Sequence, residues 1–255
     1  MKRREFLLGA LAAVPIARGQ QDPVTRFHLR VTPPKDPLPP GLHPLGLAEG
    51  RDGVLFIPEA AGGAEARPLL LMLHHAGGSG RRWFGPLRDR AESLGLIVVA
   101  PDSRGHNWAT ARMRVIPDFT FIEGALAEGF RRTLVDPARV AIGGFADGGS
   151  YALTLGLANG DLFSHVLAFS PGFYAETTPR GKPQVFLAHG SADTVFPVSA
   201  ASRALESVLR ERDYPVEYVE FEGGHELPGE VLQRGLERVA APAPMPATTG
   251  RGTPA

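Results

Sequence analysis

Three positions that lie far apart along the chain carry the residue types of acyl-transfer chemistry: the stretch around Ala146, then Asp193, then His225. A histidine can draw a proton from a hydroxyl through Nε2. An aspartate behind it holds the imidazole in one tautomer and stabilises it when charged. Such a pair serves a nucleophile, and the stretch Gly144-Phe-Ala-Asp-Gly148 has the spacing of the G-x-S-x-G turn. In that turn a strand bends sharply into a helix and the central residue is thrust above the sheet. The flanking glycines are needed because a side chain there would strike the neighbouring strand or helix. The central residue here is Ala146, which has no nucleophilic atom. Asp147 is one position late, and Ser150 is a helical turn further on. Ser79 lies on a separate glycine-rich loop and lacks the turn's rigid aim.

The loop His75-Ala-Gly-Gly78 could supply the other half of such a site. Negative charge developing on a carbonyl oxygen needs backbone N–H donors aimed at it. One donor is expected from Asp147, the residue after the apex, and a second from Ala76. A plain glycine turn is the alternative reading of this loop. His74 and His75 have the chemistry of metal ligands, but no third or fourth ligand accompanies them at suitable spacing, so no metal site is expected. Trp108, Phe145, Phe173 and Phe196 fall on the same loops and are candidates to line an acyl or aromatic pocket. Core packing is the ordinary fate of any single one of them.

The elements that must position these residues follow from the apolar runs and turn signals. Strands are expected over 26–31, 52–58, 68–75, 97–100, 140–142, 165–170, 185–189 and 215–221. Helices are expected over 81–94, 118–132, 150–157, 198–211 and 228–239. The proline-rich stretch 20–45 should lie extended along a sheet edge. Strands and helices alternate throughout, which predicts an α/β domain with a mostly parallel sheet covered on both faces. In such sheets, sites form at the carboxyl ends of the strands. Ala76, Trp108, Ala146, Asp193 and His225 all sit at such ends.

Composition narrows the class. The chain has 255 residues, 43% of them hydrophobic and 21% charged, enough for one large soluble domain. Lys+Arg and Asp+Glu both number 27, so nothing favours nucleic acid or an anionic membrane surface as partner. The absence of cysteine excludes disulfides, thiolate metal sites and a cysteine nucleophile. Residues 1–19 begin with paired arginines, continue with a short apolar run and end in small residues. They read as an export signal of the twin-arginine or general secretory type, too short to span a bilayer. Residues 20–240 are expected to form the folded domain, and 241–255 a disordered tail rich in Pro and Ala.

With these pieces in place the chain resembles the α/β-hydrolase superfamily. More closely, it is similar to the phospholipase/carboxylesterase and polyhydroxybutyrate-depolymerase-like esterases. The matching pieces are Leu73-His-His-Ala-Gly-Gly, Pro101-Asp-Ser-Arg, Arg139-Val-Ala-Ile-Gly-Gly-Phe-Ala-Asp-Gly, His189-Gly-Ser-Ala-Asp193 and Gly224-His225. They span about 45–240. The chain order of apex, Asp193 and His225 is that superfamily's order of nucleophile, acid and histidine. The resemblance implies a cofactor-independent carboxylic ester hydrolase working through an acyl-enzyme, with Ala146 standing where the family has Ser. Either a substitution has silenced an active esterase, or the chain is a natural pseudoenzyme or ligand-binding module. Retention of Asp193, His225, both elbow glycines and the oxyanion loop favours the first. The short stretch 171–184 leaves little room for a lid, so small and polymeric esters are both admissible substrates. Oligomeric state is left open.

Overall fold

The computed structural model describes residues 26–63, 65–108, 116–175 and 177–242. The expected export signal, and all of the expected tail except 241–242, lie outside them. Eight strands form one sheet in the order β1-β2-β4-β3-β5-β6-β7-β8. β1 (Gly41–Pro44) and β2 (Gly53–Ile57) pair antiparallel at one edge, and β2 pairs antiparallel with β4 (Ile97–Pro101). From β4 onward the sheet is parallel, through β3 (Arg67–Leu73), β5 (Val135–Phe145), β6 (His165–Phe169), β7 (Gln184–Gly190) and β8 (Val216–Phe221).

The apolar runs that marked the central strands reflect burial on both faces. In β3, Leu69, Leu71 and Leu73 join one core layer while Leu70 and Met72 join the other. The first layer is closed by α3 (Ile116–Arg132), α4 (Asp147–Ala158) and α5 (Ser202–Glu211). The second is closed by α1 (Gly80–Phe84), α2 (Arg88–Ser93) and α6 (Gly229–Ala240). Period-two alternation thus assigns each strand residue to a layer, and the loops at the strands' carboxyl ends are left to build a site.

Several expectations need correction. Residues 26–31 form no strand. The Phe27 and His28 N–H groups donate to the side chains of Asn159 and Glu123 at 2.8 Å, which satisfies them without a ladder. The Phe27 ring stacks on Phe119 with centroids 4.6 Å apart, and Arg26 pairs with Asp161. The edge strand comes later, at β1. The helix expected over 81–94 is broken into α1 and α2 by a 3₁₀ turn, Gly85–Leu87, that contains Pro86. The helix expected from 198 begins at Ser202, after turns over 197–201. β5 is longer than its apolar centre suggests, because a register shift between Arg67 and Leu69 accommodates its polar start.

Candidate active site

The turn between β5 and α4 puts Ala146 at φ 55° and ψ −114°. This is a backbone state that L-residues avoid, costing about 1–3 kcal/mol. The Ala146 N–H donates to Phe169 O on β6 at 2.9 Å, and the Ser150 N–H and hydroxyl both donate to Ala146 O. The flanking glycines are required by close approach. A Cβ on Gly144 would lie 2.3 Å from the Gly148 backbone, and one on Gly148 would lie 2.4 Å from His74 O. The elbow is therefore pressed against both β6 and the loop after β3.

That loop is held from within. The His74 Nε2 accepts the Ser103 N–H at 3.0 Å, so its proton sits on Nδ1, which donates to His75 O at 2.7 Å. Burial pushes the His74 imidazole below its ordinary value, in keeping with a neutral ring. Both ring nitrogens are thereby occupied by protein groups, which leaves His74 no lone pair for a metal. Arg51 spans the same cluster, donating to Gly78 O at 3.1 Å and to the Ser103 hydroxyl at 3.0 Å. Across the elbow, the Asp147 carboxylate accepts the Trp108 N–H at 2.7 Å, and the Trp108 indole N–H donates to His74 O at 2.6 Å. Trp108 is thus a strap between the elbow and the loop that carries Ala76.

Asp193 follows β7, and its side chain is fully buried. Its Oδ2 accepts the His225 Nδ1–H at 2.7 Å. Its Oδ1 accepts the Val195 and Phe196 N–H groups at 2.8 and 2.9 Å. Burial by itself would raise this carboxyl. The His225 bond and the two N–H donors outweigh it and hold the group below the usual carboxylate range. His225 follows β8, and its ring is flanked by Phe145 at 5.0 Å and Phe196 at 5.6 Å between centroids.

A cavity of about 400 Å³ opens at this point, lined by His75, Ala76, Phe145, Ala146, Asp147, Val195, Phe196 and His225. The structure therefore gathers Ala76, Phe145, Ala146, Asp147, Phe196 and His225 around one space, with Asp193 behind His225. Two candidate pocket residues stand elsewhere. Trp108 is only 2% exposed, and packs in the core under the loop instead of lining the cavity. Phe173 is half-buried and likewise absent from the cavity wall. Sequence reasoning missed Val195 and Trp83, and it named His75 as part of the loop without giving its ring a place in the wall. Val195, 56% exposed, stands at the cavity, one residue before Phe196 in the turn that Asp193 organises. His75 lines the cavity, and Trp83 on α1 stacks against Phe145 at 5.5 Å. The spacing of Trp83 from the glycine loop, one turn into the next helix, was the available signal.

Comparison with known proteins gives the family and the fold. The profile of a family described as Phospholipase/Carboxylesterase matches residues 110–240. "Putative esterase NocK" of Nocardia uniformis subsp. tsuyamanensis is 30% identical over 158 residues, which cover 58% of this chain. The match spans 46% of that relative, so the chain corresponds to about half its length. "Probable feruloyl esterase C" of Aspergillus terreus (strain NIH 2624 / FGSC A1156) is 25% identical over 213 residues, covering 69% of this chain and 77% of the relative. The crystal structure of esterase PE8 superposes with a TM-score of 0.60 at 22% identity, over 73% of this chain and 98% of that one, a likeness of fold.

Proposed function

Because the chain belongs to the phospholipase/carboxylesterase family of the α/β-hydrolase fold, we propose that its site is that of a serine-type carboxylic ester hydrolase lacking only the nucleophile hydroxyl. The observation that carries this reading is the 2.7 Å bond from His225 to a buried Asp193, beside an elbow whose apex keeps its strained backbone with Ala in place. A relaxed turn would have no use for φ 55° at an alanine.

With a hydroxyl at the apex the chemistry runs as follows. His225 Nε2 takes the hydroxyl proton as the oxygen attacks the ester carbon. Asp193 accepts from Nδ1 and stabilises the imidazolium. The Ala76 and Asp147 N–H groups receive the oxyanion. Collapse expels the alcohol, which takes its proton from His225, and leaves an acyl-enzyme. Water, deprotonated by the same imidazole, then releases the acid. The chain as written binds esters at this site with little or no turnover.

The apolar wall of Phe145, Val195 and Phe196 suits an apolar or aromatic group on the ester. That is the kind of substrate that the name of the feruloyl esterase relative carries. Among the described residues no helix is long and apolar enough to cross a membrane. Export is proposed from residues 1–19 alone; N-terminal sequencing of protein secreted by the natural host should find a start near Gln20, and Met1 retained in a cytosolic fraction would refute it. The alternative reading, a natural pseudoenzyme or ligand-binding module, rests on Ala146 itself, and a native gene encoding Ala at this position would favour it. The acyl-enzyme tests the mechanism. Ala146→Ser quenched after mixing with a nitrophenyl acetate should gain the mass of one acetyl group on the peptide containing position 146. Acetylation elsewhere only, or none, would remove the nucleophile assignment.

A further inference from the structure

We propose that His189 is a positioning residue: backed by Ser202, it fixes the Asp193 carboxylate in the attitude from which Asp193 orients His225. The inference rests on the roles given above to Asp193 and His225.

His189 lies on β7, four residues before Asp193, and its side chain is fully buried. Its Nε2 is 2.8 Å from Phe196 O and 3.1 Å from Asp193 Oδ2. A carbonyl and a carboxylate can only accept, so Nε2 carries the proton. Its Nδ1 is 2.6 Å from the Ser202 hydroxyl. Burial pushes this imidazole below its ordinary value, so the ring is neutral and Nδ1 accepts the Ser202 proton. Ser202, the first residue of α5, thereby selects the tautomer that places a donor against Asp193.

The consequence is mechanical. The Val195 and Phe196 N–H groups that hold Oδ1 belong to Asp193's own turn. Those bonds fix the carboxylate relative to the turn, and the turn could carry it away from His225. His189 belongs to β7, which is paired on both sides in the sheet. Its one N–H is bonded to the turn, at Phe196 O, and the same protonated nitrogen stands 3.1 Å from the carboxylate, at Oδ2. It ties the turn to the sheet and sets a protonated nitrogen beside Oδ2, the oxygen that His225 also approaches.

His189→Leu removes the donor, His189→Gln retains one at the Nε2 position, and Ser202→Ala removes the tautomer control. The first measurement is made on the chain with Ala146 in place and needs no activity: the proton NMR resonance of the His225 Nδ1–H in protein with labelled histidine. It should be seen in the parent and in His189→Gln and be lost to exchange in His189→Leu. The second is made in the Ala146→Ser background. His189→Leu should lower kcat about 10- to 100-fold with KM within about threefold, as misplaced catalytic groups do, and His189→Gln should recover most of it. If His189→Leu does not fold, Ser202→Ala decides. The two ring nitrogen shifts of His189 should then move towards a mixture of tautomers and the His225 proton should exchange faster. An unchanged His225 resonance in folded His189→Leu, or in Ser202→Ala, overturns the proposal. So does equal impairment of the Leu and Gln variants. A silent Ala146→Ser enzyme whose resonance still responds as expected would sink the esterase reading and leave the positioning role standing.

Discussion

At the scale of single residues, the site depends on atoms that do no chemistry. Trp108 shows this best. Its two N–H groups bind the Asp147 carboxylate and the His74 carbonyl, spanning the elbow and the loop after β3. Trp108→Phe should leave the His74 carbonyl without that donor, costing about 1–3 kcal/mol in denaturant unfolding. Gly148→Ala should be worse than an ordinary glycine-to-alanine change. Its Cβ would lie 2.4 Å from His74 O, so backbone must move, and a loss of about 1–3 kcal/mol or more is expected by the same measurement. The glycines, Asp193 and His225 were legible in the sequence because their spacing is local or their order is distinctive. The strap was not. An aromatic residue on a loop reads equally as pocket wall or core, and only the fold shows that the indole N–H faces a carbonyl. His189 opens a stretch that the sequence does mark, His189-Gly-Ser-Ala-Asp193, but its partners Ser202 and Phe196, and so its role, are seen only in the fold.

At the scale of elements, the central strands and the helices that cover them could be read from apolar runs, because burial on both faces leaves a strong signal in β3 to β7. The edges could not. Residues 26–31 alternate like a strand, yet side chains satisfy the two backbone N–H groups that a ladder would have used. The anchor of that segment is Phe27, stacked on Phe119 of α3 and set edge-on to Phe163. Phe27→Ala should cost about 3–5 kcal/mol if the segment is integral to the domain. A thermal midpoint unchanged by the substitution would show that the segment packs on the outside of a domain stable without it.

At the scale of the whole molecule, buried imidazoles make stability fall in mild acid. Burial lowers His74, His165 and His189 below their ordinary value of 6.5. Above that pH these groups are neutral in both the folded and the unfolded chain, and they do not favour unfolding. As pH falls below 6.5 the unfolded chain takes up protons that the folded chain refuses, so stability falls. The slope is at most about 1.4 kcal/mol per pH unit for each group. Asp193, held low in the folded state, adds a loss of the same sign at lower pH, as it is protonated. The thermal midpoint should therefore decline from pH 7 to pH 5. A flat profile over that range would mean that these rings are not buried as neutral groups.

The central claim is that only one hydroxyl separates this chain from an esterase. Ala146→Ser tests it on a short activated ester such as nitrophenyl butyrate. Loss of the nucleophile in a related triad costs about 10⁶-fold in kcat, with a residual of roughly 10³–10⁴ over water left to binding and the oxyanion donors. Hydrolysis by the serine variant should therefore exceed that of the parent by several orders of magnitude. It should fall to background when His225→Ala is added. Activity of the serine variant no greater than that of the double variant, on short, long and polymeric esters alike, would contradict the account.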